Sequence, residues 1–184
     1  MRSQRFSTSV LTAYAPRVAR AAAAAAALAL AAACADAVAP EAEGGLPKNL
    51  ERGIYPLVNV ASESQTSAQV DLYLKRVPGA IRLAGYQGEL TYDADALTLE
   101  HTDLPAGMIG TTNETSPGHV RFAGAALDGV DDVPVLALRF TRRSGTLGQQ
   151  SFQVKVEEVT GSDGFTDLTQ QVSTRGAFFT RTAR

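Results

Sequence analysis

The stretch Gly85–Glu100, GYQGELTYDADALTLE, restricts the fold more than any other part of the chain. Tyr86, Gly88, Leu90 and Tyr92 alternate with Gln87, Glu89 and Thr91, a period of two that only a strand buried on one face requires. Asp93-Ala94-Asp95 then turns the chain, because Asp caps its own backbone in turns. Leu97 and Leu99 resume the alternation at once. Two half-buried strands joined by a short acidic turn point to a β-sandwich.

The same pattern recurs through the rest of the chain. Leu57–Ala61 is a short β-prone run, and Val70, Leu72 and Leu74 alternate with Asp71, Tyr73 and Lys75. Val120, Phe122 and Gly124 alternate with His119, Arg121 and Ala123. Leu136, Leu138 and Phe140 do so with Ala137, Arg139 and Thr141, and Phe152, Val154 and Val156 with Gln153, Lys155 and Glu157. Gly176–Phe179 is suited to close the sheet. Leu104–Thr115 contains Pro105, Gly107 and Gly110 and reads as a loop with at most a short strand. Leu127–Asp132 and Arg142–Gly145 read as turns. No long segment shows helical periodicity and no stretch repeats another. These features predict one all-β module, an antiparallel two-sheet sandwich of about nine strands.

The first residues carry a different signal. Arg2, Arg5, Arg17 and Arg20 are the only charges before Cys34, and an uncharged, alanine-rich run ends in Ala31-Ala32-Ala33. A positive region, an apolar run and a small-residue cleavage site in that order mark a signal peptide over residues 1–33. Cys34, the sole cysteine, follows as in a bacterial lipobox, where it would be lipidated; the other reading is an ordinary signal peptide with Cys34 a bystander. Residues 34–53, with Pro40, Gly44, Gly45 and Pro47 among acidic residues, read as a solvated tether. Residues 54–184 are left for the sandwich. The expected location is outside the cytoplasm, held to the bacterial envelope by the lipid, on a side the sequence leaves open. All 19 acidic residues follow Cys34 against 13 of the 17 basic ones, a net charge of −6 that argues against a nucleic-acid partner.

From about Tyr55 to Phe179 the chain resembles a cohesin domain, the jelly-roll sandwich that binds dockerin modules in cellulosomes. GYQGELTYDADALTLE resembles the family's third and fourth strands, and HVRFAGAALDGV with VPVLALRFT its sixth and seventh. SFQVKVEEVTGSDGFTDLT and then RGAFF resemble its eighth strand, an exposed loop and the closing strand. The resemblance implies a jelly roll whose partner covers the face of the eighth, third, sixth and fifth strands. Its outward residues here would be Gln87, Glu89, Arg121, Gln153 and Lys155. The partner would be a protein, dockerin-like or other. The same architecture also serves carbohydrate-binding modules and polysaccharide utilisation. With no Trp in the chain, Tyr73 is the clearest outward ring for stacking on a glycan. A structural envelope subunit pairing through sheet edges is the third reading.

Nothing in the sequence points to an enzyme. His101 and His119 lack the spacing that sets two ligands on one helix face, and read as strand-edge residues. No cofactor is expected, Ca²⁺ being the one candidate. Its carboxylates would come from Asp128, Asp131 and Asp132 in one loop and Asp163 and Asp167 in another, although Asp and Gly also simply make turns. Asn113-Glu114-Thr115 matches a glycosylation triplet by accident. Arg139, Arg142 and Arg143 read as a solvated strand end, or as a contact for phosphate or acidic glycan.

Overall fold

The structure is a computed structural model that describes residues 45–131 and 133–182. Cys34, the expected signal peptide and Asp132 lie outside the described residues, as does the side chain of Asp131. The described residues form nine strands. They are β1 (Gly53–Glu63), β2 (Ser67–Val77), β3 (Arg82–Tyr92), β4 (Leu97–Asp103), β5 (Ile109–Ser116), β6 (His119–Asp131), β7 (Leu136–Arg142), β8 (Phe152–Gly161) and β9 (Phe178–Arg181). One sheet has the order β4-β7-β2-β1-β9 and the other β5-β6-β3-β8, a jelly-roll sandwich. Neighbouring strands run antiparallel except β1 and β9, which pair in parallel from Leu57–Phe178 to Val60–Arg181.

The alternation read from the sequence sorts the residues as expected. Ile54, Val58, Val70, Leu72, Leu138 and Phe140 point inward from the five-stranded sheet. Leu90, Tyr92, Val120, Phe122 and Phe152 meet them from the other. Phe140 is fully buried at the centre, with the Tyr92 ring 4.9 Å and the Phe152 ring 6.0 Å from it. Burial of one such ring contributes about 2–3 kcal/mol.

A reciprocal fit locks β3 to β6. Tyr86 lies opposite Gly124, and Phe122 opposite Gly88. A methyl group on Gly124 would come within 2.6 Å of the Tyr86 ring, and one on Gly88 within 2.9 Å of the Phe122 ring. Each aromatic side chain thus occupies the space its glycine partner leaves empty. The Tyr86 hydroxyl donates to the Val135 carbonyl beneath the sheet.

Three segments differ from the sequence expectation. The residues from Leu127 to Asp131, expected as a turn, continue β6, where Val130 and Asp131 still pair with Leu83 and Arg82 of β3. The supposed loop holds β5, an edge strand paired with β6 from Ile109–Ala125 to Ser116–His119. Nearly all its side chains are exposed, so it shows no apolar alternation, and backbone hydrogen bonds hold it. The end of the expected tether, residues 45–52, packs on the sandwich. Leu46 and Leu50 cover Tyr55 and Leu57, the outward apolar residues of β1, together with Tyr73, Val77 and Phe178. Apolar residues on both parities of β1 require such a cover.

Glu63, at the end of β1, ties three strands together. Its carboxylate forms an ion pair with Arg142 of β7 at 2.9 Å and accepts a hydrogen bond from Arg181 of β9 at 2.8 Å. Asp71, on the outward parity of β2, is only 9 % exposed, and its Oδ1 has no hydrogen-bond partner. Desolvation raises its pKa above the ordinary 3.8, although a hydrogen bond from Gln69 opposes this.

Two outcomes are expected. Gly124→Ala should cost about 2 kcal/mol in urea unfolding, through overpacking against Tyr86; an unchanged midpoint would remove the interlock from the account. A raised carboxyl pKa favours the neutral form in the fold, so its contribution is intact at low pH and is lost as pH rises through the folded pKa. Asp71→Asn should therefore stabilise the protein by about 1 kcal/mol at pH 7. Thermal melts should show this gain shrinking toward pH 3.8.

Candidate partner-binding face

The outer face of β5-β6-β3-β8 has two halves, set by one register. Glu89 of β3 stands between Arg121 of β6 and Lys155 of β8, and Thr91 between His119 and Gln153. Asn113 of β5 extends the first row. The five face residues expected from the resemblance therefore lie on one sheet face: Gln87 and Glu89 half-buried, Arg121, Gln153 and Lys155 exposed. One register further along the rows become small: Thr111, Ala123 and Gln87, then Ile109, Ala125 and Gly85.

The polar half is organised by Glu157, which the alternation alone did not single out. The β3–β8 ladder shifts register between Gln87 and Gly88, so that Gln87 pairs with Glu158 and Gly88 with Val156, leaving Glu157 as the bulged residue. Arg121 reaches across β3 to its carboxylate at 2.8 Å, and Lys155 Nζ lies 3.4 Å away. Glu89, opposite Arg121 in register, instead meets His119 Nδ1 at 3.0 Å. Some desolvation works to raise the pKa of Glu157. The hydrogen bond and charge of Arg121, followed by those of Lys155, outweigh it and hold the carboxyl below its ordinary 4.5.

The apolar half went unrecognised in the sequence. Ile109 and Leu127 are 84 % and 86 % exposed and Phe165 is 60 % exposed. With Ala84, Ala106 and Ala125 they line an open groove of about 690 Å³. Ala84 and Ala125 keep its floor low. Phe165 sits at φ 53°, a left-handed conformation that costs a bulky residue about 1–3 kcal/mol and here holds an apolar ring in solvent. The turn that does so is closed by Gly161 N–H donating to the Thr166 carbonyl and by Thr166 Oγ1 donating to the Asp163 carbonyl at 2.7 Å. The outward series Arg121, Ala123, Ala125, Leu127 was present in the sequence, and extending it two residues past Ala125 would have found Leu127.

The remaining candidates fall elsewhere. Tyr73 belongs to the cluster under Leu46 and Leu50, on the other sheet, and Lys75 Nζ lies 4.7 Å over its ring. His101 pairs with Asp103 at 2.9 Å on β4, so the two histidines are on different sheets. The acidic loops do come together, since Gly129 abuts Ser162. Asp167 is occupied, however: the Thr169 amide donates to its Oδ1 at 2.9 Å, and bonds from Thr169 lower its pKa. Asp128 and Asp163 are exposed. Among the described residues no group of three His, Cys, Asp or Glu is placed to hold a metal. The arginine cluster divides, with Arg142 turned inward to Glu63 and the carbonyls of Ser64 and Gly145 while Arg139 and Arg143 stay exposed. Glu114 of the glycosylation triplet accepts a hydrogen bond from the Tyr92 hydroxyl.

No family model matches the chain, and no curated protein matches it in sequence. Solved structures do match it. It is similar to the sixth cohesin of scaffoldin B from Acetivibrio cellulolyticus, solved with a mutant Cel5 dockerin, at 16 % identity and a TM-score of 0.50. That match covers 71 % of this chain and 99 % of the other. It is similar also to a type I cohesin–dockerin complex from Clostridium thermocellum, at 12 % identity and a TM-score of 0.50, with the same two coverages. The chain has a cohesin-like fold.

A lowered pKa keeps the Glu157–Arg121 pair formed above the ordinary carboxyl value, and the pair is lost as pH falls through the folded one. An NMR titration should show Glu157 ionised at pH 4.5, with its midpoint moving up in Arg121→Gln. The same midpoint in both proteins would show that Arg121 does not hold the carboxylate.

Proposed function

We propose that the protein is a non-catalytic binding module that docks a protein partner on the outer face of β5-β6-β3-β8. The carrying observation is the exposed apolar groove of Ile109, Leu127 and Phe165 beside an ordered polar row. An apolar centre with a polar border is the usual anatomy of a protein interface, and large exposed apolar patches mark interaction sites. The strained Phe165 adds support, because backbone strain collects where a side chain must be presented. The cohesin-like fold agrees with this reading, as the two similar solved structures are of cohesins in complex with dockerins.

In the same proposal the chain is exported and held to the cell envelope by a lipid on Cys34, at a site linked to polysaccharide use. The support for anchoring is the order of the arginine-rich start, the alanine-rich run and the single cysteine. A protein partner is preferred to a glycan on this face because the groove is lined by aliphatic side chains and one ring rather than by a row of aromatic platforms.

The test begins with the full chain immobilised against envelope extract, followed by affinity measurements on the purified partner. Leu127→Asp, and separately the double reversal Glu89→Lys with Arg121→Glu, should each weaken binding by about 2 kcal/mol or more. Tyr73→Ala, on the other sheet, should leave it unchanged. Equal affinity of the face variants and the parent would refute the docking face.

A further inference from the structure

A second concavity, of about 460 Å³, opens at one end of the sandwich and shares no lining residue with the groove. Arg52 precedes β1, Arg76 lies near the end of β2 and Arg175 precedes β9, and all three line it. Gln170, Gln171 and Ser173 line it too, and Glu51 is the one acid among the lining residues, 4.0 Å from Arg175. The side chains of Arg52 and Arg76 make no hydrogen bond or ion pair with the described residues. Arg76 is half-buried and lines the cleft with no carboxylate paired to it among the described residues, an arrangement that a bound anion would complement.

The walls are fixed rather than loose. Ser173 N–H donates to the Ile54 carbonyl at 2.8 Å, and the Tyr55 hydroxyl donates to the Glu51 carbonyl at 2.9 Å. A side chain at Gly53 would stand 3.1 Å from the Gln171 carbonyl, so the walls approach closely only over glycine. Three backbone amides of this wall are already used: Gln171 N–H donates to the Leu168 carbonyl, Val172 N–H to Thr169 and Ser173 N–H to Ile54. What remains for a ligand are planar guanidinium forks, which match a carboxylate or a phosphate, beside amide and hydroxyl side chains that match ring hydroxyls, so the set as a whole suits an anionic group carried on a hydroxylated ring.

We propose that this cleft binds the carboxylate of an acidic sugar. Arg52 and Arg76 grip the carboxylate, while Gln170, Gln171 and Ser173 meet the sugar hydroxyls, in a cleft with room for about two pyranose rings. The site is independent of the protein-docking face.

Calorimetry on the full chain tests it, with trigalacturonate as probe and galactotriose, inorganic phosphate and hexaglutamate as comparators. Trigalacturonate should bind at least about tenfold more tightly than each comparator and weaken with added salt. Arg52→Gln and Arg76→Gln should each weaken it about tenfold, and Arg143→Gln, outside the cleft, should not. Melting curves accompany each variant; if Arg76→Gln melts early, exposed Arg52→Gln carries the comparison. Absence of trigalacturonate binding overturns the proposal, as does equal binding of any comparator or undiminished binding by the double variant Arg52→Gln/Arg76→Gln.

Discussion

The fit of two aromatic rings into two glycine gaps is the constraint on which the outer face of the four-stranded sheet depends. Tyr86 over Gly124 and Phe122 over Gly88 leave β3 and β6 one register, because a slip in either direction drives a ring into a side chain or opens a void. The packing is internal, but its consequence is external. With Tyr86 opposite Gly124, Gln87 must lie beside Ala123 and Glu89 beside Arg121 on the outer face. The outer face is therefore the reverse side of a core contact.

On that surface two local departures from regular sheet divide the labour. The bulge at Glu157 gives β8 an extra outward carboxylate, which draws Arg121 across β3 and pairs also with Lys155 of its own strand. The strained turn at Phe165 brings a ring to the far end, where Ala84 and Ala125 leave the groove floor low. Regular alternation already turns Ala125 and Leu127 of β6 and Ile109 of β5 outward. The departures add a carboxylate to the polar half and an aromatic ring to the apolar one.

Much of the fold was legible because burial on one face imposes a period of two, and that period survives in any sequence that satisfies it. β3, β4, β6, β7 and β8 were recognised for this reason. β5 was not, since an exposed edge strand is held by backbone hydrogen bonds to which side chains contribute little. The expected tether was misread at its C-terminal end for a related reason. Leu46 and Leu50 sit among polar and turn-forming residues, and their role appears only against the outward Tyr55 and Leu57.

From its pattern of alternating residues, the chain alone established the sandwich, its inward rings and the parity of Gln87, Glu89, Arg121, Gln153 and Lys155. Parity is a local property, decided by neighbours one and two residues away. Tertiary structure alone decided that Arg121 pairs with Glu157 rather than Glu89, that Ile109, Leu127 and Phe165 share one groove, and that Arg52, Arg76 and Arg175 share one cleft. These are meetings between residues far apart in sequence. They depend on sheet order, a bulge and a positive φ, none of which leaves a periodic mark in the chain.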